Sequence, residues 1–259
     1  GQLARLASHP ASGTLALVSQ GNDEPSRLRI FNADGSVRVE KRLVRMDPGR
    51  EWVFVGPGTM SGLSFSADGR FLYLLNDDLI SRGDTRAQVW QLDAQTGDVL
   101  HVLQTDLTAL GGTLAPDEKH YTLVKMTPGH SQLVNVDLQT GAETLVYDAP
   151  TGVTVAAPAW SPDGSHLAFS QFTHEGFDLM VRDAAGQLLP VMNDGQFNYA
   201  PHWVDNTRLV FTRTHENRLQ AHRYRVDTHF IEVLTDAPFS VIDAAPVGDG
   251  VAFLNRDGT

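Results

Sequence analysis

Residues 160–169 read Trp-Ser-Pro-Asp-Gly-Ser-His-Leu-Ala-Phe. This stretch predicts a strand, a tight turn and a second strand that begins near Leu167. Pro162 presets φ for the turn, the Asp163 carboxylate can cap it, and Gly164 supplies a positive φ without a steric penalty. The stretch therefore predicts a β-hairpin, and it is the element from which the rest of the fold is read.

The same unit recurs along the chain. Residues 65–74 read Phe-Ser-Ala-Asp-Gly-Arg-Phe-Leu-Tyr-Leu, and residues 114–123 keep Pro-Asp but place Glu118 where glycine is expected. Altered copies begin at His9, Trp203 and Pro246. Each turn is followed by a strand with alternating apolar and polar residues. A second turn, which usually contains glycine, and a further strand come next. The repeat is therefore four short strands in roughly 45 residues, which is the period of β-propeller blades.

Burial explains why such units form a ring. A single four-stranded blade with two apolar faces is marginally stable alone, and stacking blades buries both faces. Trp160 and Trp203 occupy the same place in successive repeats, as Phe65 does earlier, so we expect them to pack between blades. No helical periodicity of useful length is present.

The predicted fold class is all-β. We expect a β-propeller of the six-bladed type, with five complete four-stranded blades and the first two strands of a sixth. Residues 1–259 are predicted to form a single domain.

At these motifs the chain resembles the TolB-like propeller repeats, which are related to the WD-type (WD40-like) blade. The residues that carry the resemblance are the Ser-Pro-Asp-Gly turn at 161–164, the Leu-Ala-Phe that follows it, and the Asp-x-x-x-Gly exit turns at 93–97 and 137–141. The resemblance covers nearly the whole chain. It implies a scaffold used for several tasks: periplasmic partner binding, accompaniment of peptidase domains and, in some relatives, polysaccharide lysis with a histidine-bound metal.

The strand count adds an expectation about the parent protein. Residues 241–253 supply the first two strands of a sixth blade, and the chain begins directly in the first strand of the first blade, which leaves no spare strand to close the ring. We expect the chain to be a fragment of a longer protein. Residues 38–58 and 76–88 are predicted to be long polar loops, where binding often occurs.

The composition argues against two classes of partner, nucleic acids and membranes. The 259-residue chain carries 31 acidic and 20 basic residues, a formal charge of −11, and no cysteine. Its densest basic stretch, residues 38–45, is interrupted by Glu40. Such a chain repels phosphate backbones, so nucleic acid is not an expected partner. No apolar run reaches the length of about 18 residues typical of a membrane-spanning helix, so membrane insertion is not expected either.

Two of the ten histidines occupy equivalent turns of adjacent repeats. His174 and His215 each follow a threonine and precede a glutamate, Glu175 and Glu216. Equivalent turns lie on one face of a propeller, so these four side chains are the metal-ligand candidates. We expect these two His-Glu turns to be solvent-exposed copies of one ancestral repeat that hold no cofactor. The alternative that stays open is a site for a divalent metal.

The sequence lacks the motifs of nucleophilic catalysis and of phosphate binding. The sequence contains no Gly-x-Ser-x-Gly elbow, no Walker loop and no dinucleotide fingerprint. Ser161 lies in the repeat turn, where its hydroxyl is expected to bond to local backbone. No catalytic residue is predicted, and the chain alone is not expected to be an enzyme.

Binding residues are expected at the central channel and at the loops around its mouth. Asn198, Tyr199 and His202 break the repeat, because their counterparts Val155, Ala156 and Ala159 are small or apolar. The predicted binding set is therefore Asn198, Tyr199, His202, Asp243, His174 and His215.

Three functions fit these observations. The first is a protein- or peptide-binding scaffold in a bacterial periplasm or cell envelope, or a secreted one. The second is an accessory propeller of a larger peptidase or hydrolase, with another domain of the same parent chain as its partner. The third is a metal-dependent lyase or hydrolase with histidine ligands at the channel mouth.

Overall fold

The computed structural model describes residues 3–20, 26–45, 53–54, 62–81, 84–105 and 107–255. Within these ranges the chain is built from β-strands and turns. Five antiparallel sheets have four strands each, and two further sheets have two strands each. Each four-stranded sheet follows chain order from its first strand to its fourth, which is the blade topology that the repeat predicts.

The bounds of the strands are as follows. The first blade is formed by β1 to β4, at Leu3–His9, Thr14–Gln20, Arg27–Phe31 and Val37–Arg42. A short pair, β5 and β6, follows at Val44–Arg45 and Val53–Phe54. The second blade is formed by β7 to β10, at Leu63–Phe65, Phe71–Ser81, Asp84–Asp93 and Val99–Gln104. The third is formed by β11 to β14, at Ala109–Leu114, His120–Thr127, His130–Asp137 and Glu143–Asp148.

The later blades repeat this pattern. The fourth is formed by β15 to β18, at Thr154–Trp160, His166–Phe172, Phe177–Asp183 and Leu188–Met192. The fifth is formed by β19 to β22, at Asn198–Trp203, Arg208–His215, Arg218–Arg225 and Phe230–Val233. The last pair, β23 and β24, lies at Val241–Val247 and Gly250–Asn255.

The first strands surround a common axis. β1 contacts β7, and the contacts continue in order through β11, β15, β19 and β23, which returns to β1. The propeller fold is therefore present, but the predicted six-bladed type is wrong. The described residues form five complete blades, and β23 and β24 pair only with each other in a two-stranded sheet.

Alternation along each strand explains how the blades stack. Successive side chains of a strand point to opposite faces of its sheet. In β16, Leu167 and Phe169 pack against the third blade, whereas Ala168 between them packs against the fifth. Each blade is thus apolar on both faces, and the core lies between blades.

The turn of residues 160–169 has the structure that its sequence predicts. Gly164 adopts a φ of 71°, and its N–H donates to the Ser161 carbonyl at 2.9 Å. The Asp163 carboxylate accepts from the Ser161 hydroxyl at 2.8 Å and from the Ser165 N–H at 3.0 Å. These bonds satisfy most of the turn locally, and the Asp163 N–H donates to Asn206 Oδ1 of the fifth blade at 3.1 Å.

The predicted loops differ from expectation where they are described. Residues 76–81 and 84–88 lie in paired strands, because β8 and β9 remain paired from Phe71↔Asp93 out to Ser81↔Asp84, and residues 82–83 lie outside the described residues. The insert extends a ladder that already exists, which satisfies its backbone groups without new packing. Of residues 38–58, the end of β4 and the short strands β5 and β6 are described, and the remaining insert lies outside the described residues.

The interblade core makes a direct prediction about stability. Phe211 is fully buried between the fourth and fifth blades, whereas Phe230 on the outer strand of the fifth blade is 56% exposed. Phe211→Ala should lower the free energy of unfolding by about 3–5 kcal/mol, because it removes packing and leaves a cavity. Phe230→Ala, the matched control, should change it by less than about 0.5 kcal/mol. Urea unfolding followed by tryptophan fluorescence measures both, and equal effects would contradict interblade packing.

Candidate functional site

A cavity of about 360 Å³ lies at the centre of the ring. Its wall is formed by the ends of β1, β7, β11, β15 and β19 and by the turns that follow them. Because these strands come from five blades, no single repeat builds the site. The cavity falls within the size range of small-molecule and side-chain pockets, which is roughly 300–1,000 Å³.

Three aromatic residues pack against the interblade clusters, as their repeated position predicts, and also border the cavity. Phe65, Trp160 and Trp203 occupy equivalent positions at the ends of their first strands and line the cavity. Trp160 Nε1 donates to Thr122 Oγ1 at 2.7 Å, and Trp203 Nε1 donates to the Ala159 carbonyl at 2.9 Å. Each indole is thereby fixed to the preceding blade and contributes apolar surface to the cavity.

Polar groups interrupt this wall at the preceding position of three first strands, whereas the fourth blade has Ala159 there. Ser64, Thr113 and His202 line the cavity there, and Ser8 joins them from β1. The Ser64 hydroxyl accepts the Leu114 N–H at 3.1 Å. An apolar wall with a few placed hydroxyl and imidazole groups is the usual composition of a ligand pocket.

His202 is paired with a buried acid. Its Nε2 lies 3.0 Å from Asp243 Oδ1, and the Asp243 side chain is only 4% exposed. Asp243 Oδ2 also accepts the Leu6 N–H at 3.3 Å. The pair therefore joins β19, β23 and β1, at the junction where the two-stranded sheet meets the first blade.

The electrostatics of Asp243 follow from this environment. Burial raises the pKa of the carboxyl, but the charge and hydrogen bond of His202, the charge of Arg5 and the Leu6 N–H together hold the pKa below its usual value. A buried carboxylate is stable only when it is paired and hydrogen-bonded in this way. Asp243 is therefore ionised at neutral pH and orients the His202 ring.

Asn198 and Tyr199 lie at the opposite end of β19 from the cavity. The buried Asn198 amide donates to the Phe177 carbonyl at 3.0 Å and accepts from Arg213 Nη1 at 2.8 Å. Tyr199 packs against Phe197 with ring centroids 5.5 Å apart, and burial raises the pKa of its hydroxyl. The structure thus brings His202 and Asp243 together but separates them from Asn198. That these predicted binding residues contact a ligand stays a prediction.

The candidate metal ligands lie on the face opposite the cavity. The His174 side chain is 90% exposed and lies 3.6 Å from the Glu175 carboxylate. The His215 ring instead contacts the buried His222, with centroids 5.7 Å apart. Across the described residues, no group of three or more His, Asp or Glu side chains has an arrangement that could hold a metal.

Sequence reasoning missed part of the site. Arg5 acts on Asp243 across 238 positions of sequence, and no local pattern marks such a pair. The hydroxyls of Ser64 and Thr113 fall at ordinary strand positions. Glu118, which lines the cavity mouth, did carry a signal, because it stands in a turn position that Gly164 fills in the next repeat.

Comparison with solved structures identifies the fold. TolB from Acinetobacter baumannii superposes with a TM-score of 0.63 at 16% identity over 91% of this chain. The β-propeller domain of the Trilobed protease from Pyrococcus furiosus gives a TM-score of 0.60 at 12% identity over 98% of this chain and 93% of that domain. Pyrococcus horikoshii acylaminoacyl peptidase gives 0.61 at 10% identity over 96% of this chain.

These similarities establish a TolB-like β-propeller fold, and at such low sequence identity they do not establish a function. The chain spans 55% of the TolB chain and 41% of the acylaminoacyl peptidase chain. No protein-family model matches the sequence, and no curated protein matches it at a significant level. Among the described residues, no helix has the length and apolar character needed to span a bilayer.

The buried pair predicts an acid-dependent loss of stability. Asp243→Asn should lower the free energy of unfolding at pH 7 by about 3 kcal/mol, because the partner charges lose their counter-ion. A lowered carboxyl pKa stabilises the fold above the unfolded value of about 3.9, and the contribution is lost as pH falls through the folded value. The difference between wild type and variant should therefore be constant from about pH 5 to 7 and shrink below about pH 4.

Asp249→Asn, in the exposed turn of the same sheet, is the control for this measurement. Urea unfolding across the pH range should leave the Asp249 variant close to wild type. A difference for Asp243→Asn that does not shrink in acid would show that the ion pair is not its origin.

His222 predicts a second pH dependence. Burial lowers the pKa of its imidazole, the Gln220 carbonyl opposes this by accepting its Nδ1–H at 3.0 Å, and the charges of Arg213 and His215 add to the lowering. The unfolded chain then binds more protons than the fold, so stability falls as pH drops below about 6.5. In His222→Gln the thermal midpoint should decline less between pH 7 and pH 5 than in wild type. His174→Gln, at an exposed histidine, should decline as wild type does.

Proposed function

We propose that the chain is a binding module that takes a protein or peptide segment of a partner into the central cavity. The observation that supports this proposal is the wall composition, in which Trp160, Trp203 and Phe65 supply apolar surface beside Ser64, Thr113 and His202. A volume of about 360 Å³ suits one or two side chains or a chain end. Buried aromatic surface of this kind commonly anchors a bound segment.

The rigidity of the wall favours binding. The two indole N–H groups are bonded to neighbouring blades, and Asp243 holds His202, so little side-chain entropy is lost when a ligand binds. His202 Nε2 faces Asp243, which leaves Nδ1 for a ligand group. The wall can therefore bind an apolar side chain and one hydrogen-bonding group next to it.

The chain's charge limits the partner. The chain has a formal charge of −11 and repels phosphate backbones, so the partner is a protein or peptide rather than a nucleic acid. We place this partner in a bacterial cell envelope or secreted compartment, in line with the TolB-like fold and the cysteine-free sequence.

A second candidate is an accessory propeller of a larger peptidase. The observation in its favour is the similarity to the propeller domain of the Trilobed protease, which this chain matches over 93% of that domain. In this function the channel admits or orients a peptide for a catalytic domain elsewhere in the parent chain. The intact mass of the protein purified from its source separates the two: a mass well above 28.3 kDa favours the accessory domain, and a matching mass favours the independent module.

Filling the cavity tests the binding proposal. Peptides are selected on the immobilised chain from a random display library, and their affinities are measured by fluorescence anisotropy. Thr113→Trp places an indole in the cavity from a half-buried wall position, and it should weaken the selected peptides by at least about tenfold. Thr228→Trp adds the same side chain at an exposed turn and should leave affinity unchanged. Peptides that bind both variants like wild type would place the binding surface elsewhere.

A further inference from the structure

A second cavity, of about 590 Å³, lies between the second and third blades. We call it the interblade groove. The second blade contributes Tyr73, Gln91 and Leu103, and the third blade contributes Lys119 and Leu138 from its turns. None of the first strands contributes to its lining, so the groove lies outside the ring that encloses the central cavity.

The floor of the groove is apolar. Val89, Leu103 and Leu138 line it, and they belong to the hydrophobic cluster between the two blades. Tyr73 packs in the same cluster, with its hydroxyl accepting Gln91 Nε2–H at 2.8 Å. This bond leaves the Tyr73 hydroxyl proton and the Gln91 carbonyl oxygen for a ligand.

Lys119 supplies a cation at the rim. Its main chain is fixed on both sides, since its N–H donates to Asp117 Oδ1 at 2.9 Å and its carbonyl accepts the Leu138 N–H at 2.8 Å. Its ammonium forms no ion pair with any described residue, and the side chain is exposed beside the groove. The position of this charge is therefore set by the turn, while its three donors remain for a ligand.

Glu118, the residue before Lys119, also lines the groove and has a strained backbone. Its φ is 54°, in a turn where Gly69 and Gly164 of the neighbouring repeats have φ of 70° and 71°. One carboxylate oxygen accepts the Ala67 N–H from the second blade. A non-glycine residue is unfavourable in this conformation, and the bond to the Ala67 N–H is a contact outside the turn that offsets part of the cost.

Asp137 supplies a second carboxylate from the neighbouring turn. Its Oδ1 accepts the Gln139 and Thr140 N–H groups, and these bonds hold the pKa of the carboxyl low. The His120 Nε2 atom is 3.9 Å from Asp137 Oδ2, which is beyond hydrogen-bond distance. Asp137 therefore also presents an oxygen to the groove.

We propose that the interblade groove binds a free α-amino acid with an apolar side chain. The ligand's ammonium and carboxylate are attached to one carbon, so they require protein charges of both signs in one groove, and Glu118, Asp137 and Lys119 line this one. The ligand carboxylate meets Lys119, its ammonium meets the two protein carboxylates, and its side chain packs on Leu103 and Leu138. Each contact is a charge-assisted hydrogen bond or apolar burial.

Ligand chemistry tests this without any mutation. L-leucine is titrated into the 259-residue chain by calorimetry, alongside N-acetyl-L-leucine and L-leucinamide. Leucine should bind, and removal of either ligand charge should weaken binding by about tenfold or more. Binding of N-acetyl-leucine or leucinamide as tight as that of leucine would overturn the proposal, as would no binding of leucine at millimolar concentration.

Variants then locate the site. Lys119→Met should weaken leucine binding by about tenfold, whereas Lys125→Met, in the same blade but paired with Glu143, should leave it unchanged. Thr113→Trp, which fills the central cavity, should also leave it unchanged. Leucine binding that is lost in Thr113→Trp and kept in Lys119→Met would assign the ligand to the central cavity and refute the groove.

Discussion

The burial of both faces of every blade is the constraint on which the rest of the structure depends. Leu167 and Phe169 pack in one direction and Ala168 in the other, and this alternation recurs along the ring. The described residues form five apolar clusters, each between two neighbouring sheets. Since a blade cannot bury its faces alone, the ring and its central cavity form together.

The junction between the two-stranded sheet and the first blade is held differently. There the buried Asp243 accepts the Leu6 N–H and pairs with His202 from the fifth blade. A polar contact of this kind is directional and depends on both partners, whereas an apolar cluster tolerates repacking. The same pair lines the cavity through His202, so substitutions that alter the site also act on the junction that holds β23 against β1.

Local sequence patterns predicted the parts of the fold that are themselves local. Residues 160–169 form the expected turn because Ser161, Asp163 and Gly164 satisfy it within six residues. The pairing of His202 with Asp243 could not be predicted, because it depends on strands 41 residues apart. The predicted blade count was wrong for a related reason. A repeat pattern shows where strands begin, but it does not show how many strands pair in each sheet. The strand pairing of residues 76–81 with 84–88 was missed because a polar composition does not distinguish a loop from an extended pair of strands.

The proposed binding surfaces lie at departures from the repeat, which the scaffold alone does not require. A histidine at position 202 and an acid at 243 are unfavourable in a stacked core unless they are paired, and small residues such as Ala159 suffice at the equivalent position. Glu118 likewise takes a strained turn conformation at a cost of about 1 kcal/mol, where glycine would have none. Glu118 lines both the central cavity and the interblade groove, so the strained residue lies where the two surfaces meet. The repeated blades form the ring, and the proposed binding surfaces use the residues that depart from the repeat at an energetic cost.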